Sequence, residues 1–193
     1  IDFVDIPFTK GWVQIKGELA YGKFMDNDFL RDHYNYYNQY ITTDALYHHK
    51  SISFRSNPDK PFVVTIGAEL AAQFGGTKRY YEKGILIDSL TMKSPTRLKD
   101  FFKILFPSSG DGQTNEGDQA YYYGNHVGQW NLSAEYRFKD NSSVRGYFEW
   151  YFDDASGMGK FNGWDGLWGL EYKSGKKNWL SNVVLEYLDM TNQ

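Results

Sequence analysis

The chain has 193 residues, a net charge of −3 and no cysteine. That excludes disulfide staples, zinc fingers and iron–sulfur centres, and it gives no electrostatic case for nucleic acid. The length suits one domain with a sizeable core, and the aromatic fraction of 19% favours strands and amphipathic boundaries.

In chain order, the first element is GWVQIKGELAYGKF (11–24). Val13, Ile15, Gly17, Leu19 and Tyr21 alternate with Gln14, Lys16, Glu18 and Ala20, which is the two-residue period of a strand. A long loop, 25–42, follows, then a strand over 43–55 with a weaker stripe and the short polar turn SNPDKP (56–61). PFVVTIGAELAAQF predicts a strand over 62–74, and 75–83 reads as a second long loop. GILIDSLTM (84–92) is a shorter candidate strand. SPTRLKDFFKILFP predicts the one helix, 94–106, with Ser94 as N-cap, Pro95 at the first helical position and Leu98, Phe101, Phe102 and Leu105 on one stripe. QAYYYG (119–124) is a further candidate strand. Strands are then predicted at 128–139, 144–152, 164–173 and 179–190, joined by the short turn 140–143, the long loop 153–163 and the short turn 174–178.

Traced up and down, this path has nine strands, with every short turn at one end and every long loop at the other. Outer-membrane barrels are built that way, but single-chain bacterial barrels have an even strand number. Either the count is off by one or the chain is a contiguous part of a longer barrel. The trace puts the helix on the short-turn side. No run approaches the length of a membrane helix. The mean hydropathy of −0.62 does not exclude a membrane sheet, in which only alternate residues face lipid. The chain opens on Ile1 rather than Met, so an N-terminal segment is expected to have been removed.

The apolar stripes fit either a soluble sandwich core or lipid. Three features favour lipid: charges of both signs in mid-strand on the polar faces, strands of about eleven residues that match a tilted crossing, and aromatics at strand ends where interface girdles lie. The fold class expected is an all-β, up-and-down antiparallel transmembrane β-barrel, residues 1–193 as a single domain, with 94–106 as a helical plug element.

Enzyme chemistry finds no foothold. Asp153 and Asp154 are adjacent in a glycine-rich loop, and paired glycosidase carboxyls must flank a sugar bond at a set separation; turn chemistry is the plainer reading. His48 and His49 point to opposite faces of one strand, so no shared metal is expected, and no cofactor motif is present. The loop DNDFLRDHYNYYNQYI (26–41) offers Phe29, Tyr34, Tyr36, Tyr37 and Tyr40 among amides and carboxylates. Aromatic faces stack on sugar C–H surfaces while amides and carboxylates fix hydroxyls, so these are candidate carbohydrate-binding residues. A loop that packs on itself is the alternative. Lys160 and Phe161 in loop 153–163 form a second, weaker candidate. Charges such as Glu69, Glu135, Arg137, Arg145, Glu149, Glu171 and Glu186 would line a pore or fill the interior as a paired network.

Several stretches resemble the capsule assembly Wzi family of outer-membrane proteins: PFTKGWVQIKGELAYGKFMDN (7–27), LYHHKSISFR (46–55), VTIGAELAAQFGG (64–76), SPTRLKDFFKILFPSSG (94–110), GNHVGQWNLSAEYRF (124–138), YFDDASGM (151–158), DGLWGLEYKS (165–174) and VLEYLDMTNQ (184–193). They cover most of the chain, in family order. The resemblance implies an outer-membrane barrel of about eighteen strands, plugged by helices on the periplasmic side, that holds capsular polysaccharide at the cell surface. The expected partners are capsular or surface polysaccharide, outer-membrane lipid and other envelope proteins. The alternatives are a porin-like outer-membrane channel and a soluble β-sandwich carbohydrate-binding module.

Overall fold

The computed structural model describes residues 2–25, 29–34, 39–112, 122–153, 157, 164–176 and 179–191, without the side chains of residues 30, 31, 34 and 39. The elements are β1 (Val4–Asp5), β2 (Val13–Lys23), α1 (Phe29–Tyr34), β3 (Gln39–Ser56), β4 (Phe62–Glu82), β5 (Ile85–Leu86), β6 (Met92–Lys93), α2 (Leu98–Leu105), β7 (Asn125–Arg137), β8 (Ser143–Asp153), β9 (Gly166–Lys173) and β10 (Asn182–Asp189). They form one antiparallel sheet in the order β1-β2-β3-β4-β7-β8-β9-β10, with β5 and β6 also paired to β4. The all-β, up-and-down expectation is therefore met. Among the described residues the sheet does not close on itself: β1 and β10 are its edges.

The short turns gather at one end, as expected. At the first, Asn57 Oδ1 accepts from Asp59 N (2.8 Å). At the second, Asp140 accepts from the Ser142 amide (3.0 Å) and hydroxyl (2.6 Å), and these hydrogen bonds hold its carboxyl below the usual carboxylate range.

The long-loop end departs from expectation. Residues 75–82 are not a loop: β4 runs on to Glu82, pairing with β3 from Thr43↔Thr77 to Gln39↔Tyr81. Gly75 and Gly76, which look like a turn in the sequence, have φ of +67° and +82° and sit opposite Asp44 at +58°. They break the pleat without ending the ladder, a use of left-handed backbone that glycine makes cheap. Beyond them β3 and β4 continue as an arm above the sheet.

Residues 84–92 are not a strand of the meander. They fold back on β4, pairing Tyr81↔Leu86 and Thr77↔Lys93 around a 3-10 turn at Asp88–Leu90. The candidate strand at 119–124 lies partly outside the described residues, and its described part, 122–124, is not strand. Among the described residues the nine-strand count is thus replaced by seven long strands (β2, β3, β4, β7, β8, β9 and β10) and three two-residue pieces.

The helix begins later than expected. Ser94 instead donates its amide to the Gly76 carbonyl (3.0 Å), and Arg97 takes the N-cap. The reason is Asp100, which accepts from the Arg97 backbone amide (2.7 Å) and from its guanidinium Nε (2.9 Å). That is half of a capping box plus an ion pair.

The register places side chains in rows. One face of the sheet carries Ile15, Phe54, Ile66, Leu132, Phe148, Trp168 and Tyr187 side by side across seven strands. The next row toward the turns carries Val64, Ala134, Gly146, Leu170 and Leu185. The opposite face carries most of the charges. α2 packs on the apolar face at its long-loop end: Phe101 and Ile104 close over Ala72 and Phe74, with Leu46 and Tyr123 completing the cluster. The helix is therefore neither on the short-turn side nor over the polar face where a plug of a polar interior would sit. Because β4 continues upward, the chain enters α2 from the long-loop end.

Candidate functional site

The apolar face is exposed. Leu19, Ile52, Phe54, Ile66, Leu132, Trp168, Leu170, Leu185 and Tyr187 all present more than a third of their surface, and among the described residues only α2 and its flanking segments lie over this face. Isolated exposed apolar side chains are ordinary, but a contiguous band across a whole sheet marks an interaction surface. Aromatics bound it. Phe62, Tyr136 and Tyr172 share one row near the turns, with Tyr136 edge-on to Phe138 at 5.0 Å. Toward the other end Trp130 faces Trp150 in register, and Trp168 lies 4.3 Å from Phe148 and 5.7 Å from Trp164.

The polar face is knitted together. Glu171 accepts from Arg145 Nε (3.0 Å) and Lys173 Nζ (3.2 Å), and its other partner is Asn182 Nδ2 (3.1 Å). His49 Nε2 meets Glu69 at 2.8 Å, and His49 Nδ1 lies 3.4 Å from Glu18. Arg55 donates twice to Gln14 Oε1 (2.7 and 3.1 Å), Tyr151 donates to Glu149 (2.8 Å), and Arg137 pairs with Glu135 (3.2 Å). The Tyr147 hydroxyl donates to Glu186. Register partners, their diagonal neighbours on the next strand and i,i+2 neighbours on one face supply all of these bonds except that from Tyr147, which reaches across β9 to β10. The expected interior charges are thus arranged as a paired network.

The carbohydrate-binding candidates fare unevenly. Phe29 opens α1 and stacks on His33 (4.2 Å between centroids), four residues on, while His33 Nδ1 meets the Phe29 carbonyl (2.9 Å). One ring face of Phe29 is therefore occupied and the side chain is 49% exposed. Tyr40 stands on the arm, 5.0 Å from Tyr80 and also 49% exposed. The Tyr34 side chain lies outside the described residues, as do Tyr36, Tyr37, Lys160 and Phe161. Phe29 and Tyr40 share the long-loop end.

Tyr80 was missed because the glycine pair before it reads as a turn. The available signal was TKRYY, a β-branched and aromatic run after the glycines. Arg79 stands beside it and donates to the Thr43 hydroxyl, so the arm couples aromatic rings with hydrogen-bonding groups. Among the described residues no cluster of three or more metal-binding side chains occurs.

Comparison with family models, with curated proteins and with solved structures finds no match to this chain.

Proposed function

We propose that the sheet is a wall of an outer-membrane β-barrel, embedded in the outer membrane through its apolar face, and that the protein takes part in assembling or attaching capsular or other surface polysaccharide without catalysing a reaction. The observation that carries the membrane reading is the band running in register from Ile15 to Tyr187, bounded by aromatic rows and backed by a polar, ion-paired face. Lipid-facing strands show this arrangement. A soluble sandwich would need a second layer over Ile66, Leu132 and Trp168, and those side chains are exposed. Between a channel and an attachment protein, the paired network on the polar face favours the latter.

The polysaccharide role rests on the sequence resemblance to the Wzi family and on the aromatic and polar side chains of the long-loop end, of which Tyr40 and Tyr80 on the arm are described. A glycan array of bacterial surface polysaccharides, run with the purified protein and with Tyr34, Tyr36, Tyr37 and Tyr40 alanine variants, tests it. Binding that falls in the variants supports the reading. No binding to any polysaccharide overturns it, and steady open currents in planar bilayers would favour the channel instead.

A further inference from the structure

The apolar face contains an anomaly. In the rows at its long-loop end, where the pattern calls for greasy side chains, β3 carries His48 and Lys50 and β7 carries His126. His48 and His126 are fully buried. Tyr21 lies against His48 (4.4 Å between ring centroids), and Ala72, between the two histidines in register, packs under Ile104 of α2 and Tyr123 of the segment that follows it. Lys50 Nζ donates to the carbonyl of Ile104 (2.8 Å) and to that of Leu105, so the lysine caps the C-terminal end of the helix. His48 Nδ1 donates to the Ala20 carbonyl (3.1 Å), and Tyr21 donates to the Phe101 carbonyl (3.2 Å).

The outer surface of α2 is the second part of the anomaly. Phe101 and Ile104 already serve the sheet, and a helix on the surface of a soluble protein turns its remaining side to water with polar residues. Here Leu98, Phe102 and the C-cap Phe106, spaced four residues apart, are 76%, 57% and 69% exposed. Lys99 and Lys103 run along one side of this stripe, both reaching Asp111 (2.7 and 3.6 Å). An apolar stripe bordered by lysines is how helices lie in the boundary between headgroups and acyl chains.

From these observations we infer that α2 is an interfacial helix: it patches the polar gap at His48, Lys50 and His126 and presents Leu98, Phe102 and Phe106 to the lipid leaflet at the long-loop end of the sheet. This rests on the membrane reading of the sheet. Lipid is the occupant because the helix lies on the same face as the band, flush with its long-loop end, and restores the apolar surface that those three residues interrupt.

The chain has no cysteine, so single spin labels can be placed without background. Labels at Phe102→Cys, Leu98→Cys, Leu132→Cys in the band and Asp59→Cys in a turn are compared in the intact protein, reconstituted in phosphatidylethanolamine–phosphatidylglycerol vesicles. The readout is collision with dissolved oxygen against collision with a water-soluble nickel chelate. The expected result is oxygen preference at 132, a smaller but clear oxygen preference at 98 and 102, and nickel preference at 59. Nickel preference at 98 or 102 with oxygen preference at 132 overturns the helix proposal and leaves the membrane wall standing. Nickel preference at 132 overturns the wall and the helix proposal together. Protection of 98 and 102 from both reagents places protein against the helix and overturns the lipid assignment.

Discussion

The ring of Tyr147 lies flat across Gly169. The two are register partners on β8 and β9, and the ring occupies the space a β-carbon at 169 would need. From there the Tyr147 hydroxyl passes over β9 to reach Glu186 on β10. An aromatic that covers a strand glycine repairs the loss of side-chain packing there and pins the register. The apolar face repeats the device, with Phe152 over Gly128.

Gly169→Ala is therefore expected to cost about 1–3 kcal/mol, because the added methyl forces a well-placed ring to move. Tyr147→Ala together with Gly169→Ala should cost less than the sum of the two single changes. Chemical or thermal unfolding of the unaltered protein and the three variants checks this, and additive costs would show that the ring and the glycine are independent.

Leu132→Arg puts a charge in the middle of the apolar band, while Asn131→Arg puts one on the polar face one residue away. If lipid touches the band, the first change is expected to cost about 2–4 kcal/mol of folding in bilayers and the second far less. Folding yield into vesicles reads the difference. Equal tolerance of both would argue that neither face meets hydrocarbon.

Lys50→Met removes the group that holds the last carbonyls of α2 while keeping the length of the side chain. The helix should loosen from the sheet by about 1.5–3 kcal/mol, the worth of a charged hydrogen bond. Faster amide exchange confined to 98–106, with β7–β10 unchanged, is the expected signature.

Burial pushes the Asp100 carboxyl up, but its hydrogen bonds from the Arg97 side chain and backbone outweigh that and hold it below its ordinary value of 3.8. A lowered folded-state value means that the contribution to stability is fully present above the unfolded value and is lost as pH falls through the folded one. The start of α2 should therefore stay intact through neutral and mildly acidic pH and weaken only below about pH 4. Asp100→Asn should remove that acid dependence. A pH series of amide exchange at 98–101 in both proteins checks the sign.

The central wall was legible from the sequence because two-residue alternation is a strong signal where one face is uniformly apolar, as in 128–139 and 144–152. The turns at 56–61 and 140–143 carry their chemistry in asparagine, proline and aspartate. The arm was hidden because Gly75–Gly76 looks like a chain reversal, and only the positive φ values inside a continuing ladder reveal otherwise. The side of the sheet taken by α2 depended on that same point, since a strand that ends at 74 sends the next segment the other way. The weak stripe of 43–55 has a physical cause: His48 and Lys50 sit in an apolar row because a helix covers them. Of the candidate sugar contacts, Phe29 and Tyr40 can be placed at the long-loop end; the run TKRYY signals a strand through Tyr80, but that Tyr40 is its neighbour across the ladder follows only from the pairing.

The kink at Asp44, Gly75 and Gly76 gives the molecule a joint between a broad support and a pointer. Amides below the joint are spoken for by the seven-stranded mat; those above serve only a narrow ribbon that carries Tyr40, Tyr80 and Arg79. A β-carbon at 75 would meet Thr96 and one at 76 the Thr43 carbonyl, so replacing either glycine would strain the joint, and the course of the ribbon is set by two residues at its base.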